Sequence, residues 1–248
     1  MWLPRWVGEL YARLYAEFGG EPFRFEDALN LSRSASAAKV ALSELRRVGG
    51  VYVHRRGEGG RRAYRLCEPR VLTYIFSGRI FNLDRIKQGR YSRLIGMICA
   101  ELLKELPGVK SVVVYGSVAR GTATEDSDVD LLVIMEGGGS LGKRLDELLR
   151  IEFSEEIAKE LDWLYGDGID THASFLPLSP REAEAFPPAL LDVVDEGIPI
   201  SDDGFYKALA KEKREALSRI GAKRVFVSEG EWYWDLRPGI KPGEVVEL

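Results

Sequence analysis

Cysteine is nearly absent. The two in 248 residues, Cys67 and Cys99, have no metal-ligand spacing and build no disulfide framework. This excludes a zinc module and suits two small buried hydrophobes in a reducing compartment. Long apolar runs are also missing: none approaches the roughly 18 residues needed to span a bilayer. Residues 1–18 interleave Arg5, Glu9, Arg13 and Glu17 with apolar side chains, unlike a signal peptide. A cytoplasmic protein with no membrane partner is expected. Internal repeats and low-complexity tracts are lacking, and 45% apolar with 30% charged residues is ordinary for an ordered chain long enough for two cores.

Charge is present but unevenly spread. Residues 1–68 hold 12 Lys and Arg against 8 Asp and Glu, a balance of +4, whereas 69–248 hold 23 against 31, a balance of −8. A basic module joined to an acidic one is implied, and only the first would be drawn to nucleic acid.

The densest information lies in residues 112–133, VVVYGSVARGTATEDSDVDLLV: an apolar strand, a Gly-Ser turn, ten residues, then Asp128-Val129-Asp130 entering a second strand. Side chains two apart on a strand share a face and lie about 7 Å apart at a rise of roughly 3.3 Å per residue. Two carboxylates so placed repel by roughly 2 kcal/mol at an effective dielectric near 20. A divalent cation reverses that sign, and Mg²⁺ binds through one or two carboxylates plus substrate phosphates. Gly116 lets backbone amides approach an anion, Ser117 adds a hydroxyl donor, and Arg120 in the first turn of a short helix adds a charge-assisted contact to phosphate. Taken separately, Gly-Ser is a common turn and residues 124–128 an acidic loop. Joined in this order they describe a site for a nucleoside triphosphate and its metal, with Glu125 and Asp126 as solvated charges and Ser127 shaping the turn.

Gly116-Ser117, ten residues and Asp128-Val129-Asp130 resemble the signature of the DNA polymerase beta superfamily of nucleotidyltransferases, most of all its minimal, antitoxin-like branch. The resemblance is dense over about 22 residues and looser over 85–200. It implies that the serine turn holds the tail of a triphosphate such as ATP, that Asp128 and Asp130 hold two Mg²⁺ ions, and that a third carboxylate from a later strand completes the site. For that carboxylate the sequence offers Asp170, at the start of an expected strand over 169–176. Asp167 is its rival, in a Gly-Asp-Gly turn where Asp serves its own backbone.

The basic module shows an amphipathic helix over 4–18, a short helix over 25–31, a turn at 32–34 and a third helix over 36–48. Val40, Leu42 and Leu45 are expected inward on that third helix, and Lys39, Arg46 and Arg47 outward, with Gly49-Gly50 as its stop. Two alternating runs, 51–56 and 61–66, flank a glycine-rich tip at 57–60 and predict a hairpin carrying Arg55, Arg56, Arg61, Arg62 and Arg65. Over 1–68 this order resembles a winged helix-turn-helix of prokaryotic regulators. The resemblance implies that Ser34, Ser36 and Lys39 face DNA bases or phosphates, and that the wing arginines Arg55, Arg56, Arg61 and Arg62 face phosphates. The alternative is a winged helix used for protein contacts. A reader of this type commonly works as a homodimer. His54 is taken as an ordinary strand residue.

Elsewhere, 84–106 predicts one long amphipathic helix, 137–139 a glycine loop, and 141–165 helical periodicity. Residues 190–203, LLDVVDEGIPISDD, resemble the nucleotidyltransferase family's usual exit from the core, a helix, a Glu-Gly turn and a short strand; a charged helix over 205–220 and a hairpin over 223–235 with Trp232 and Trp234 on one side are expected to follow. The expected fold class is α+β, a winged helix-turn-helix plus a polymerase-beta-like domain with a mixed sheet flanked by helices. Its divisions are 1–68, 69–180 and 181–248. The expected activity is metal-dependent transfer of a nucleoside monophosphate to an acceptor hydroxyl on protein, RNA or a small molecule, a toxin protein among them. The competing reading is a regulator or antitoxin-like protein whose second domain only binds nucleotide or a partner.

Overall fold

The computed structural model describes residues 3–57, 60–137, 139–228, 231–236 and 238; Glu58 and Gly59 of the expected hairpin tip and Gly138 of the glycine loop lie outside them. The N-terminal segment forms α1 (Arg5–Phe18), α2 (Phe25–Asn30) and α3 (Ala35–Arg47), followed by the antiparallel pair β1 (Val51–Arg56) and β2 (Arg62–Leu66). Ser34 caps α3 by accepting the Ala37 N–H at 3.2 Å, an ordinary role for serine at a helix start. Val40 corrects the expectation: it is 48% exposed, while Ala38, Ala41, Leu42 and Leu45 face the core. Those four positions recur at the helical spacing of three and four, and Val40 falls outside that stripe.

After α4 (Pro69–Phe76) the chain makes two 3-10 turns, Leu83–Arg85 and Gly89–Tyr91, before α5 (Ser92–Glu105). The helix expected over 84–106 is therefore shorter, and it is not amphipathic: buried residues run around it from Ser92 to Leu103. Gly89 helps to explain the late start. A Cβ there would lie 2.5 Å from the Val53 carbonyl oxygen, so this segment is pressed flat against β1.

Four strands form a mixed sheet in the order β5-β4-β3-β6. These are β3 (Val109–Tyr115), β4 (Val129–Met135), β5 (Ala173–Leu178) and β6 (Ile198–Asp202). β3 runs antiparallel to β4 and β6, and β4 runs parallel to β5. Because side chains alternate along a strand, Val112, Val114, Leu131 and Val133 enter one apolar cluster and Val113, Leu132 and Ile134 enter another on the opposite face. The first cluster continues without a break into α1, α3 and α5. The second is covered by α10 (Leu190–Glu196) and α11 (Phe205–Arg219). The chain is thus a mixed α+β protein whose sheet is flanked by helices on both faces.

The expected helical run over 141–165 is two helices, α7 (Leu141–Glu152) and α8 (Glu155–Gly166). The second is fastened to the hairpin by buried charges. Arg65, one of the five arginines expected on the hairpin, is 2% exposed; it donates to both oxygens of Glu160 at 2.6 and 2.9 Å and stacks 3.5 Å above the Trp163 ring. Arg93 of α5 donates to the same carboxylate at 3.0 Å. His54 is buried as well, with Nε2 2.6 Å from Asp167 Oδ2. A short α9 (Pro180–Glu184) and the expected final hairpin, β7 (Lys223–Ser228) with β8 (Glu231–Asp235), complete the described elements. Among the described residues no helix is long and apolar enough to cross a membrane.

Candidate active site

β3 and β4 end and begin side by side because Tyr115 pairs with Asp130 in their antiparallel register. The chain leaves β3 at Gly116, which takes φ +70, and turns at once into α6 (Gly116–Arg120). Left-handed φ favours glycine, and space demands it: a Cβ at 116 would lie 2.1 Å from Asp130 Oδ2. The Gly-Ser turn and the aspartate doublet therefore meet at one corner of the sheet. Ser117 is half-buried in that corner.

Asp128 is exposed and Asp130 half-buried. Burial, reinforced by the Asp128 charge, raises the Asp130 carboxyl above its usual value, while a hydrogen bond from Ser174 and the Arg120 charge oppose the rise. The parallel register sets Ser174 of β5 opposite Asp130, so that Tyr115, Asp130 and Ser174 form one row across three strands. The Tyr115 phenol is pushed up to about 12 by burial and by the Asp130 charge. Two residues back from Ser174 and Asp130, the His172 N–H donates to Asp128 Oδ1 at 3.1 Å. Glu152, 3% exposed, accepts the Ala173 N–H at 2.7 Å and anchors the start of β5.

Asp170 is exposed and lies three residues ahead of β5, which begins at Ala173 rather than at 169. The delay has a local cause: Gly168 takes φ +81 and the Ile169 N–H bonds the Leu164 carbonyl, so 167–169 serve as the C-terminal cap of α8. Asp128 and Asp130 are brought together beside Gly116, and Asp170 stands on the segment two residues before His172. Its rival Asp167 is committed elsewhere, to His54 and Arg55. Among the described residues no group of three or more His, Cys, Asp or Glu is placed to hold a metal. The doublet alone is a pair of hard oxygen donors, one of them raised in pKa beside the other, and such a pair suits Mg²⁺ with substrate phosphates as its remaining ligands.

Arg120 turns away from open solvent to pair with Glu196 and lies 4.8 Å from the Trp232 ring centre. Arg224 joins this group, bonded to Asp192 at 2.8 Å and Glu196 at 3.0 Å and stacked on Trp232 and Trp234. Both indole N–H groups donate to Asp192, so the two tryptophans do share a side. A cavity of about 1340 Å³ opens beside α6, with Arg85, Lys87, Arg120, Lys207 and Arg214 on its walls. Of the expected DNA-facing residues, Ser36, Lys39, Arg56, Arg61 and Arg62 are exposed, Ser34 is engaged as the cap of α3, and Arg55 pairs with Asp167 at 3.0 Å. Sequence reading missed Ser174, His172 and Tyr115. Alternation along β5 marks the first two as one face, but the β4 to β5 register that carries them to the doublet has no local signal.

Residues 97–198 match the nucleotidyltransferase domain family. Over 126 residues, 49% of this chain and 78% of the relative, the chain is 33% identical to "Putative protein adenylyltransferase MJ1305" of Methanocaldococcus jannaschii. Among solved structures it is similar to a toxin-antitoxin crystal structure with AMP-PNP, at 18% identity and TM-score 0.35, covering 50% of this chain and 87% of that one. A tri-AMPylated Shewanella oneidensis HEPN toxin in complex with MNT antitoxin gives 13% identity and TM-score 0.29, covering 52% and 90%.

Proposed function

Because the chain belongs to the nucleotidyltransferase domain family and is a nucleotidyltransferase enzyme, we propose that it moves a nucleoside monophosphate from a triphosphate to an acceptor hydroxyl at the corner formed by Gly116, Ser117, Asp128 and Asp130. The observation that supports this reading is the close approach of the Asp130 carboxylate to Gly116, where a Cβ would lie 2.1 Å from Oδ2; on this reading a turn that binds anion stands against a pair that binds cation.

In this reaction the acceptor oxygen attacks the α-phosphorus, the bond from that phosphorus to the bridging oxygen breaks, and pyrophosphate leaves with the electron pair. The Gly116 and Ser117 amides and the Ser117 hydroxyl hold the triphosphate tail, and Arg120 stands at the far end of the same short helix. Asp128 and Asp130 would hold Mg²⁺, two ions in the full reading, and a divalent cation so held offsets charge on the phosphates during in-line displacement. Asp170 is the proposed third carboxylate, as ligand or as acceptor of the hydroxyl proton. Its support is its exposed place on the segment that enters β5, two residues before His172, whose amide donates to Asp128.

A second element of the proposal is DNA binding by residues 1–68 as a winged helix-turn-helix. The order of three helices and a hairpin and the exposure of Ser36, Lys39, Arg56, Arg61 and Arg62 support it. The proposed acceptor is a protein, as the name of the archaeal relative suggests. The test is incubation of the purified chain with Mg²⁺, cell extract and triphosphates labelled at the α or the γ position. Transfer of α label but not γ label, with pyrophosphate released, is expected. Transfer of γ label would make the enzyme a kinase and overturn the reading.

A further inference from the structure

Beside the catalytic corner, β1 and residues 83–91 enclose a cleft of about 370 Å³. Five cationic side chains line it, Arg46 from α3, Arg55 and Arg56 from β1, and Lys87 and Arg90 from the opposite wall, against one carboxylate, Asp84. Two of the five are already matched, Arg55 with Asp167 and Arg90 with Glu125. Arg46 and Arg56 are exposed and make no ion pair with a described residue, and the Lys87 ammonium donates at 2.8 Å to the Arg120 carbonyl, which leaves its charge uncompensated. Like charges converge here from three separate elements, at a cost that a bound polyanion would reverse.

The floor is closely packed, since Gly89 lies against the Val53 carbonyl with no room for a Cβ. The two aromatic rings in the lining, Tyr52 and His54, are both buried and cannot stack on a base. Recognition would therefore act on a backbone of regularly spaced negative charges without reading sequence. A cleft of about 370 Å³ has room for part of one strand's backbone but not for the body of a duplex. Its outer wall also reaches the catalytic loop: Gln88 bonds both the N–H and the carbonyl of Ala123, and Arg90 donates to the Ala123 and Thr124 carbonyls, a few residues before Asp128.

We propose that this cleft, formed by Arg46, Arg56 and Lys87, is a binding site for the phosphodiester backbone of single-stranded nucleic acid running alongside the catalytic corner. The inference deepens the nucleic-acid reading of residues 1–68 and rests on it for the class of ligand, but it places the strand on the side of the hairpin that faces the sheet rather than on α3.

The test is fluorescence anisotropy of the full chain with a labelled mixed-sequence DNA oligonucleotide, single-stranded or annealed to its complement, over a salt series. It compares Arg46→Ala/Arg56→Ala with Arg61→Ala/Arg62→Ala at the other strand of the hairpin. The cleft pair should weaken single-strand binding at least tenfold and flatten the slope of log affinity against log salt by about 1.4, two phosphate contacts at roughly 0.7 each. The second pair should leave single-strand affinity unchanged. Unaltered single-strand binding in Arg46→Ala/Arg56→Ala, with duplex binding lost in Arg61→Ala/Arg62→Ala, would overturn the cleft and keep the winged-helix reading. Absence of binding to either form would overturn both. All four arginines are exposed, and an unchanged thermal midpoint checks that each variant is folded.

Discussion

Asp130 occupies the space that a side chain on residue 116 would need: its Oδ2 lies 2.1 Å from the position of a Cβ built on Gly116. The glycine is thus required twice, by its φ of +70 and by the carboxylate above it. Gly116→Ala should lose transfer activity at least a hundredfold and destabilise the chain by at least about 2 kcal/mol from backbone strain. Combining it with Asp130→Ala should restore part of the stability and none of the activity, a non-additivity that a double-mutant cycle from denaturant unfolding measures.

The buried Glu160 carboxylate balances two buried arginines, Arg65 and Arg93. Glu160→Ala leaves both uncompensated, so a loss of about 3–5 kcal/mol is expected in urea unfolding. Since one apolar cluster runs from α1 into the sheet, wild-type unfolding should be a single transition by both tryptophan fluorescence and circular dichroism.

His54 titrates below its usual value because burial outweighs the raising effect of its bond to Asp167. Its Nδ1 is buried with no partner, which suits a neutral ring whose Nε2–H donates to Asp167. A proton added on unfolding, but resisted in the folded chain, means that stability is full above the unfolded pKa near 6.5 and falls as pH drops through the lowered folded value. The thermal midpoint should decline below pH 6.5, and His54→Gln should flatten that limb. An equally steep limb in the variant would assign it to other groups.

Glu182 is held down to about 2 by the Ser179 N–H and hydroxyl and by Arg144. Its contribution is present above the unfolded value near 4.5 and disappears as pH falls from there towards 2. Glu182→Gln should reduce the slope of the midpoint between those limits and leave transfer at neutral pH unchanged.

Much of this was legible in the sequence because local rules governed it. The strand, Gly-Ser turn and doublet at 112–133 fall where their spacing places them, and α3, α11 and the final hairpin follow periodicity and turn glycines. What was not legible depended on distant partners. Arg65 and His54 look like ordinary wing residues until α8 supplies Glu160, Trp163 and Asp167. Val40 looks like a core residue by type, yet its phase on the helix turns it out. Asp170 was placed at a strand start that the cap of α8 delays by several residues, and Ser174 enters the site only through a parallel register between strands some forty residues apart.

The most direct measurement is transfer of α-labelled nucleotide by Asp128→Asn and Asp130→Asn, each assayed with Mg²⁺ and with its thermal midpoint recorded. Both should lose transfer completely while unfolding as cooperatively as the wild type, with Asp130→Asn no less stable because a half-buried charge has been removed. Transfer retained in both folded variants would contradict the assignment of this corner as the active site.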